Sequence, residues 1–399
     1  MLEKALIGDK KYWTWVIGLL VLIGIGVLFY IRQFNEGLGI TGLGRDVTWG
    51  FYIAQFTFMV GVAASAVMVV LPYYLHNYKL FGKIVILGEF VAIPSVLVCM
   101  LFIFVDMGQP TRVLNVMLHP TPHSMMFWDM VSLMGYLLLN LIIGWTTLGA
   151  ERKSIPPPKW VKPLIILSIP WAVSIHTVTA FLYSGLAARP FWMTAVLAPR
   201  FLASAFSAGP ALLILFVMIL RKLTRFDPGK EAIQNLGKIV TYAMCVNVFL
   251  VAMEFFTAYY SDIPEHLAHF HFMFGGIAEN NWIGPWMYFS SILAIFSLLL
   301  LLVPKFRHSE PILAIACIAV FVSLWIDKGL ALIVTGFVPS VLGHVPSYVP
   351  TVPELMISVA VYALGLLIVT LLYKVVLSVR GDVVQNRIKG EDVPVATKV

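Results

Sequence analysis

The stretch "WIDKGLALIVTG", residues 325–336, sets Asp327 and Lys328 side by side within an apolar run, Ile312 to Phe337, that carries no other charge. Ionisable groups are costly inside a hydrocarbon slab and mark paths for protons, ions or redox ligands. His176 lies comparably deep in the run Leu164–Leu186, while Asp106 and Glu254 stand near the ends of two others. Carboxylates and an imidazole at these depths can exchange protons with a molecule that reacts within the membrane. The competing reading is that they lock helices together through buried hydrogen bonds. Lys328 falls about 100° round a helix from Asp327, so the two need not pair. It is either a counter-ion for Asp327 or Glu254, or a structural cation. Glu89, near the other end of its run, reads as a partner for Lys83 or as a proton entry point.

Other segments offer weaker chemistry. "EHLAHFHF" carries Glu265, His266, His269 and His271. No cysteine or carboxylate cluster completes a metal site there, so the segment reads as a loop that touches a partner. Bound haem b calls for paired histidines on facing helices. Only His176 is deep, with His76 at a helix edge, so no haem is expected in this chain. Cys99, Cys245 and Cys317 all fall in apolar runs without a CxxC, which argues against zinc, disulfides or an iron–sulfur cluster here. Trp49 and Tyr52 read either as interfacial belt residues or, with Arg45, Asp46 and Gln55, as the rim of a pocket that grips a quinone ring.

The elements that must position these groups are membrane helices. Of 399 residues, 60% are hydrophobic and 12% charged, with a mean hydropathy of +0.90. A soluble chain could not cover that much apolar surface. Ten runs are long enough to span as helices: 13–30, 49–73, 84–105, 125–148, 164–186, 201–220, 239–260, 283–303, 312–337 and 355–373. The first is too long for a signal-peptide core and is expected to be retained. The N-terminus, the even-numbered links and the C-terminal tail hold 21 of the 27 Lys and Arg residues. That asymmetry predicts a multi-pass protein of the cytoplasmic membrane with both termini inside. The net charge of +7 is then cytoplasmic anchoring against lipid and needs no nucleic-acid partner.

A repeat runs through the chain. Phe51, Phe56, Val67 and Met68 recur as Phe201, Phe206, Val217 and Met218, and Ile175, His176 and Gly185 as Ile326, Asp327 and Gly336. Gly88 and Asp106 are mirrored by Gly237 and Glu254 at nearly the same offset. The expected fold is an all-α integral membrane domain covering 1–399. Helices 2–5 (49–186) and 6–9 (201–337) form two four-helix bundles, related by a pseudo-two-fold along the membrane normal. Helices 1 (13–30) and 10 (355–373) are peripheral. His176 would match Asp327, roughly 15 Å deep at the helical rise, and Asp106 would match Glu254 above them.

The residues also resemble a known family. "TWGFYIAQFTFMVGVAASA", "DMGQPTRVLNVMLHPTPHSMMFWD" and "HTVTAFLYSGLAARPFW…PRFLASAFSAG" are similar to the NrfD/PsrC polysulfide-reductase membrane subunits. The ten-helix length and "VPELMISVAVYALG" look most like the HybB and DsrP branch. The resemblance implies a subunit that exchanges electrons between menaquinone and an iron–sulfur protein on the outer face, alongside other membrane and cytochrome subunits of a respiratory complex. Such subunits hold no redox cofactor of their own. The pocket candidates it implies are Asp106, Arg112, His176, Glu254 and Asp327, with Trp49 and Tyr52 at the rim and Lys328 nearby. A sulfate-reduction complex is the narrowest expectation. The rival class is a proton-coupled transporter, which would show helices broken near the midplane, with Pro94 and Pro170 the places to look. A passive assembly anchor accounts for the hydrophobicity but leaves the buried charges without a role.

Overall fold

A computed structural model describes residues 2–224, 226–275, 282–340 and 342–388. Among these there is no β-strand, and ten helices are long and apolar enough to cross a bilayer. They are α1 (Lys10–Glu36), α2 (Phe51–Leu75), α3 (Lys79–Asp106), α4 (Met125–Arg152), α5 (Val161–Ser184), α6 (Leu197–Leu223), α7 (Lys230–Ser261), α8 (Ile283–Leu302), α9 (Glu310–Thr335) and α10 (Val352–Val383). The chain is a multi-pass integral membrane protein.

Every expected span is present, and most run past their hydropathic limits. In α7 the added turns, "KEAIQNLGK", bury Ala232, Ile233 and Leu236 while showing polar side chains elsewhere. An amphipathic turn keeps its helical hydrogen bonds after average hydropathy has fallen. At the start of α10, the Glu354 carboxylate accepts from the Thr351 backbone N–H at 2.8 Å, the glutamate half of a capping box. Glu354 also accepts from Gly42 N at 2.8 Å and from the Tyr348 hydroxyl at 2.7 Å, tying this helix start to the α1–α2 link.

Contacts run α2–α3–α4–α5 and back to α2, and again α6–α7–α8–α9 and back to α6. Helices α1 and α10 pair with each other, and α10 rests on α3 and α4. Buried positions make up 94% of the α2 window but 17% of α1, so α2 is the core and α1 an edge. Where α2 meets α6, a Cβ on Gly209 would stand 2.9 Å from Ser65 Cα, and one on Gly61 would stand 3.6 Å from Ala205 Cα. The crossing is thus Gly61-x-x-x-Ser65 against Ala205-x-x-x-Gly209, small residues letting two backbones approach in an apolar medium.

The helices α3 and α5 run unbroken through Pro94 and Pro170. Regular winding is lost elsewhere. Residues Trp325–Ala331 of α9, the charged stretch itself, form a π-helical segment, and Ala64–Ala66 of α2 tighten into a 3₁₀ turn. π turns are uncommon and gather at functional sites. Gly329 sits in the π segment where a Cβ would come 3.2 Å from the Ala54 carbonyl oxygen on α2. Trp325 Nε1 donates to Gln55 Oε1 on α2 at 2.6 Å. The segment is therefore held from the α2 side.

Candidate functional site

Successive spans alternate in direction, so the links after α1, α3, α5, α7 and α9 gather at one end, called distal here. A cavity of about 370 Å³ lies in the α2–α5 ring towards that end, covered by the α3–α4 link. Its volume sits at the low end of the range for small-molecule sites. Most of the wall is apolar, and it includes Met100, Met107, Met117, Met126, Met130 and Met134. Thioether side chains adapt to flat rings and flexible tails alike.

The polar groups in this wall are few. Asp106 ends α3, and its Oδ1 has no hydrogen-bond partner despite burial. Asp129, one turn into α4, is buried and accepts a hydrogen bond from Thr179 Oγ1 of α5 at 2.6 Å. Arg112 stands at the exposed mouth on the α3–α4 link. Tyr183 closes one side, its hydroxyl 2.5 Å from Thr57 Oγ1. Two carboxyl groups facing an apolar chamber can hold and pass protons to a ligand inside it.

Aromatic packing sets the far wall. Trp49 stacks on Trp192 with centroids 5.8 Å apart, and Tyr183 meets Trp192 edge-on at 5.2 Å. Trp192, from the α5–α6 link, is fully buried and donates Nε1 to the Leu332 carbonyl of α9 at 2.8 Å. Gly336 makes room for it, since a Cβ there would come 2.0 Å from the indole. One tryptophan so joins the cavity wall to the α6–α9 ring.

The predicted site residues separate into groups. Trp49, Asp106 and Arg112 line the cavity. Tyr52 does not: its hydroxyl donates to Gln33 Oε1 at 2.7 Å, and Gln33 Nε2 donates to the Val105 carbonyl at 2.6 Å. It pins α1 to α2 and α3. His176 is fully buried outside the cavity lining, and neither ring nitrogen has a hydrogen-bond partner.

Glu254 and Asp327 lie apart from the cavity, bound to a residue that sequence reasoning passed over. Arg200 Nη2 donates to both Asp327 oxygens at 2.7 and 2.9 Å, and its Nη1 donates to Glu254 Oε2 at 2.5 Å. Glu254 and Asp327, expected in separate layers, thus share one guanidinium. A guanidinium on α6 draws the α7 and α9 carboxylates together because its planar fork serves two acids at once. Arg200 rather than Lys328 is their hydrogen-bonded counter-ion. Lys328 is buried, its Nζ 4.3 Å from the Phe201 ring centroid and 3.4 Å from the Phe201 carbonyl oxygen.

The expected pairing of Glu89 with Lys83 is corrected. Glu89 is buried with Oε2 unpartnered, while Lys83 donates to the Asp227 carbonyl at 3.0 Å. The α7–α8 link is only partly presented. Glu265, His266 and His271 are exposed, whereas His269, Phe270, Phe272 and Met273 turn inward. His269 packs on Phe191, and burial pushes its pKa down to about 4 against a smaller opposing pull from the Val338 carbonyl. Residues 276–281 lie outside the described residues. Among those described, no group of three His, Cys, Asp or Glu side chains is placed to hold a metal ion.

Asp129 stands in the stretch "SMMFWD", but a lone acid one turn into an apolar helix reads as a rim residue. Arg200 falls just before the apolar run of α6 and reads as an interfacial anchor. The two acids it could reach were the only signal, and they lie 54 and 127 positions away.

Comparison with known proteins finds membrane subunits among the relatives of this chain. A membrane subunit named for a putative dimethyl sulfoxide reductase of Halobacterium salinarum is 29% identical over 349 residues, 82% of this chain and 77% of the relative. A selenate reductase subunit of Mesobacillus selenatarsenatis is 24% identical over 330 residues, 74% and 76% of the two chains. The integral membrane subunit of an Hdr-like menaquinol oxidoreductase of Archaeoglobus fulgidus is 23% identical over 255 residues, 63% and 62%. Residues 39–339 match the family model for polysulphide reductase, NrfD, a region that contains both four-helix rings and the cavity. The chain belongs to the NrfD polysulphide reductase family.

Proposed function

We propose that this chain is the quinone-reactive membrane subunit of a respiratory redox complex. It exchanges electrons between menaquinone or menaquinol and an iron–sulfur subunit seated on the distal face, in a complex of the sulfite-reductase-associated, DsrP-like kind. The carrying observation is the cavity in the α2–α5 ring, apolar except for Asp106, Asp129, Arg112 and Tyr183. A quinone ring fits such a wall: the unpartnered Asp106 Oδ1, as the protonated acid, donates to a carbonyl oxygen, and the methionines accept the ring faces. A quinone changing redox state exchanges two protons as well as electrons. Asp106 and Asp129 would supply or receive them, with Thr179 orienting Asp129. Arg112 at the mouth guides the head group inward. A menaquinol oxidoreductase among the relatives supports this choice of quinone.

On this reading the distal face is the outer one, both termini are cytoplasmic, and the two rings are copies related by a pseudo-two-fold. The placement of basic residues supports the orientation, since the distal links are poor in Lys and Arg. A cysteine at the exposed Ser347 is then labelled from outside intact cells, and one at Ser154 is not. The reverse pattern would turn the cavity towards the cytoplasm and remove the docking face.

The function itself is tested by extraction in mild detergent, with quinone analysis and identification of co-purifying subunits. Menaquinone together with an iron–sulfur subunit is the expected result. A chain that purifies alone, without quinone, and carries protons with a solute would establish the transporter reading instead.

A further inference from the structure

The pairing of α1 with α10 leaves an open groove of about 770 Å³, away from the cavity and outside both four-helix rings. Its walls are apolar, built by Leu19, Leu22, Val359 and Leu366. Its depth comes from Gly18, where an added Cβ would meet nothing within 4 Å. At one end stand Lys10 and Lys11, both exposed, on the first turn of α1.

Two acids near that end are engaged elsewhere, while Glu3 stands exposed on the turn before α1. Asp9 caps α1 by accepting from Tyr12 N at 2.9 Å, and Asp382 pairs with Lys4. Lys374 adds positive charge, its Nζ 5.2 Å from the Tyr12 ring centroid. An apolar slot along two membrane helices, ending in lysines where the hydrophobic run begins, has the shape and charge of a single lipid. Acyl chain lies along the slot, and phosphate meets the ammonium groups.

We propose that the α1–α10 groove binds one anionic phospholipid, its phosphate held by Lys10 and Lys11 and an acyl chain laid over Gly18. The inference is independent of the quinone reading. A quinone head is a poorer occupant, because Tyr362, the polar side chain deepest in the groove, already donates its hydroxyl to Gln55 Oε1 at 2.7 Å. That same Gln55 oxygen accepts from Trp325. A lipid chain against Tyr362 therefore backs the bonds that hold the π segment of α9.

The test uses the full chain purified in mild detergent, with bound phospholipid counted by native mass spectrometry. Wild type is expected to retain about one anionic phospholipid per chain after extensive washing. Lys10→Gln with Lys11→Gln should lower the preference for phosphatidylglycerol over phosphatidylcholine by about thirtyfold at low salt, the effect of two surface lysines. Gly18→Leu should expel the lipid whatever its headgroup and leave quinone content unchanged. A melting-temperature rise on adding phosphatidylglycerol, absent in the Lys10 and Lys11 variant, is the second readout and works even where washing strips the site. Equal retention and equal melting shifts in wild type and both variants would overturn the proposal. So would loss of quinone rather than phospholipid in Gly18→Leu.

Discussion

Asp129→Asn, made in the intact complex, is expected to slow quinone turnover by about a hundredfold or more, the range in which a positioned acid or base contributes. The amide keeps the size of the carboxyl and can still accept from Thr179 Oγ1, now 2.6 Å from Asp129 Oδ1. What it loses is the exchangeable proton facing the cavity. Asp106→Asn should do the same, since Asp106 presents an unpartnered oxygen to the same space. Turnover measured with a soluble menaquinol analogue, beside quinone content of the purified complex, separates lost chemistry from lost binding. Asp327→Asn makes the comparison sharper. Its carboxylate is gripped by Arg200 away from the cavity, so its effect on turnover should be the smaller. If Asp106→Asn and Asp129→Asn turn over normally while Asp327→Asn does not, the site lies in the α6–α9 ring instead.

Arg200→Met is expected to be the most destabilising single change, by about 3–5 kcal/mol, the cost of stripping one partner from a buried ionic group. Arg200 is held within hydrogen-bond distance of both Glu254 and Asp327, on two other helices. Without it, two carboxylates face one another in a poorly solvated place. Thermal unfolding in detergent should show the loss. Adding Glu254→Gln and Asp327→Asn to Arg200→Met should restore most of the stability, because an uncharged cluster has no unpaired charge to solvate. A triple variant no better than Arg200→Met would mean that shape, rather than charge, joins these helices.

Much of the architecture was legible along the chain because it rests on additive, local quantities. Hydropathy over about twenty residues marks a span wherever it lies, and all ten runs became helices. Asp106 and Trp49 were readable as candidates, since a charged or aromatic side chain at a helix end is conspicuous against an apolar background, whereas Arg112 came only from the family resemblance. Other features had no such local sign. The pairing of Arg200 with Glu254 and Asp327 joins α6, α7 and α9, and no spacing rule connects them. Tyr52 looked like a rim residue, but rotation of α2 within the bundle aimed its hydroxyl at Gln33.

The opening stretch shows the division most clearly. Composition alone placed Asp327 and Lys328 within the apolar run of the ninth span and made their burial costly. Only tertiary packing decided that Trp325–Ala331 would widen into a π segment, with Trp325 bonded to Gln55 and Gly329 pressed towards the Ala54 carbonyl. It also sent the two charges different ways, Asp327 to Arg200 and Lys328 to the Phe201 ring and carbonyl. The span is a property of one segment's transfer into lipid, summed residue by residue. The winding and the partners depend on which neighbours face that segment, and those neighbours come from distant parts of the chain.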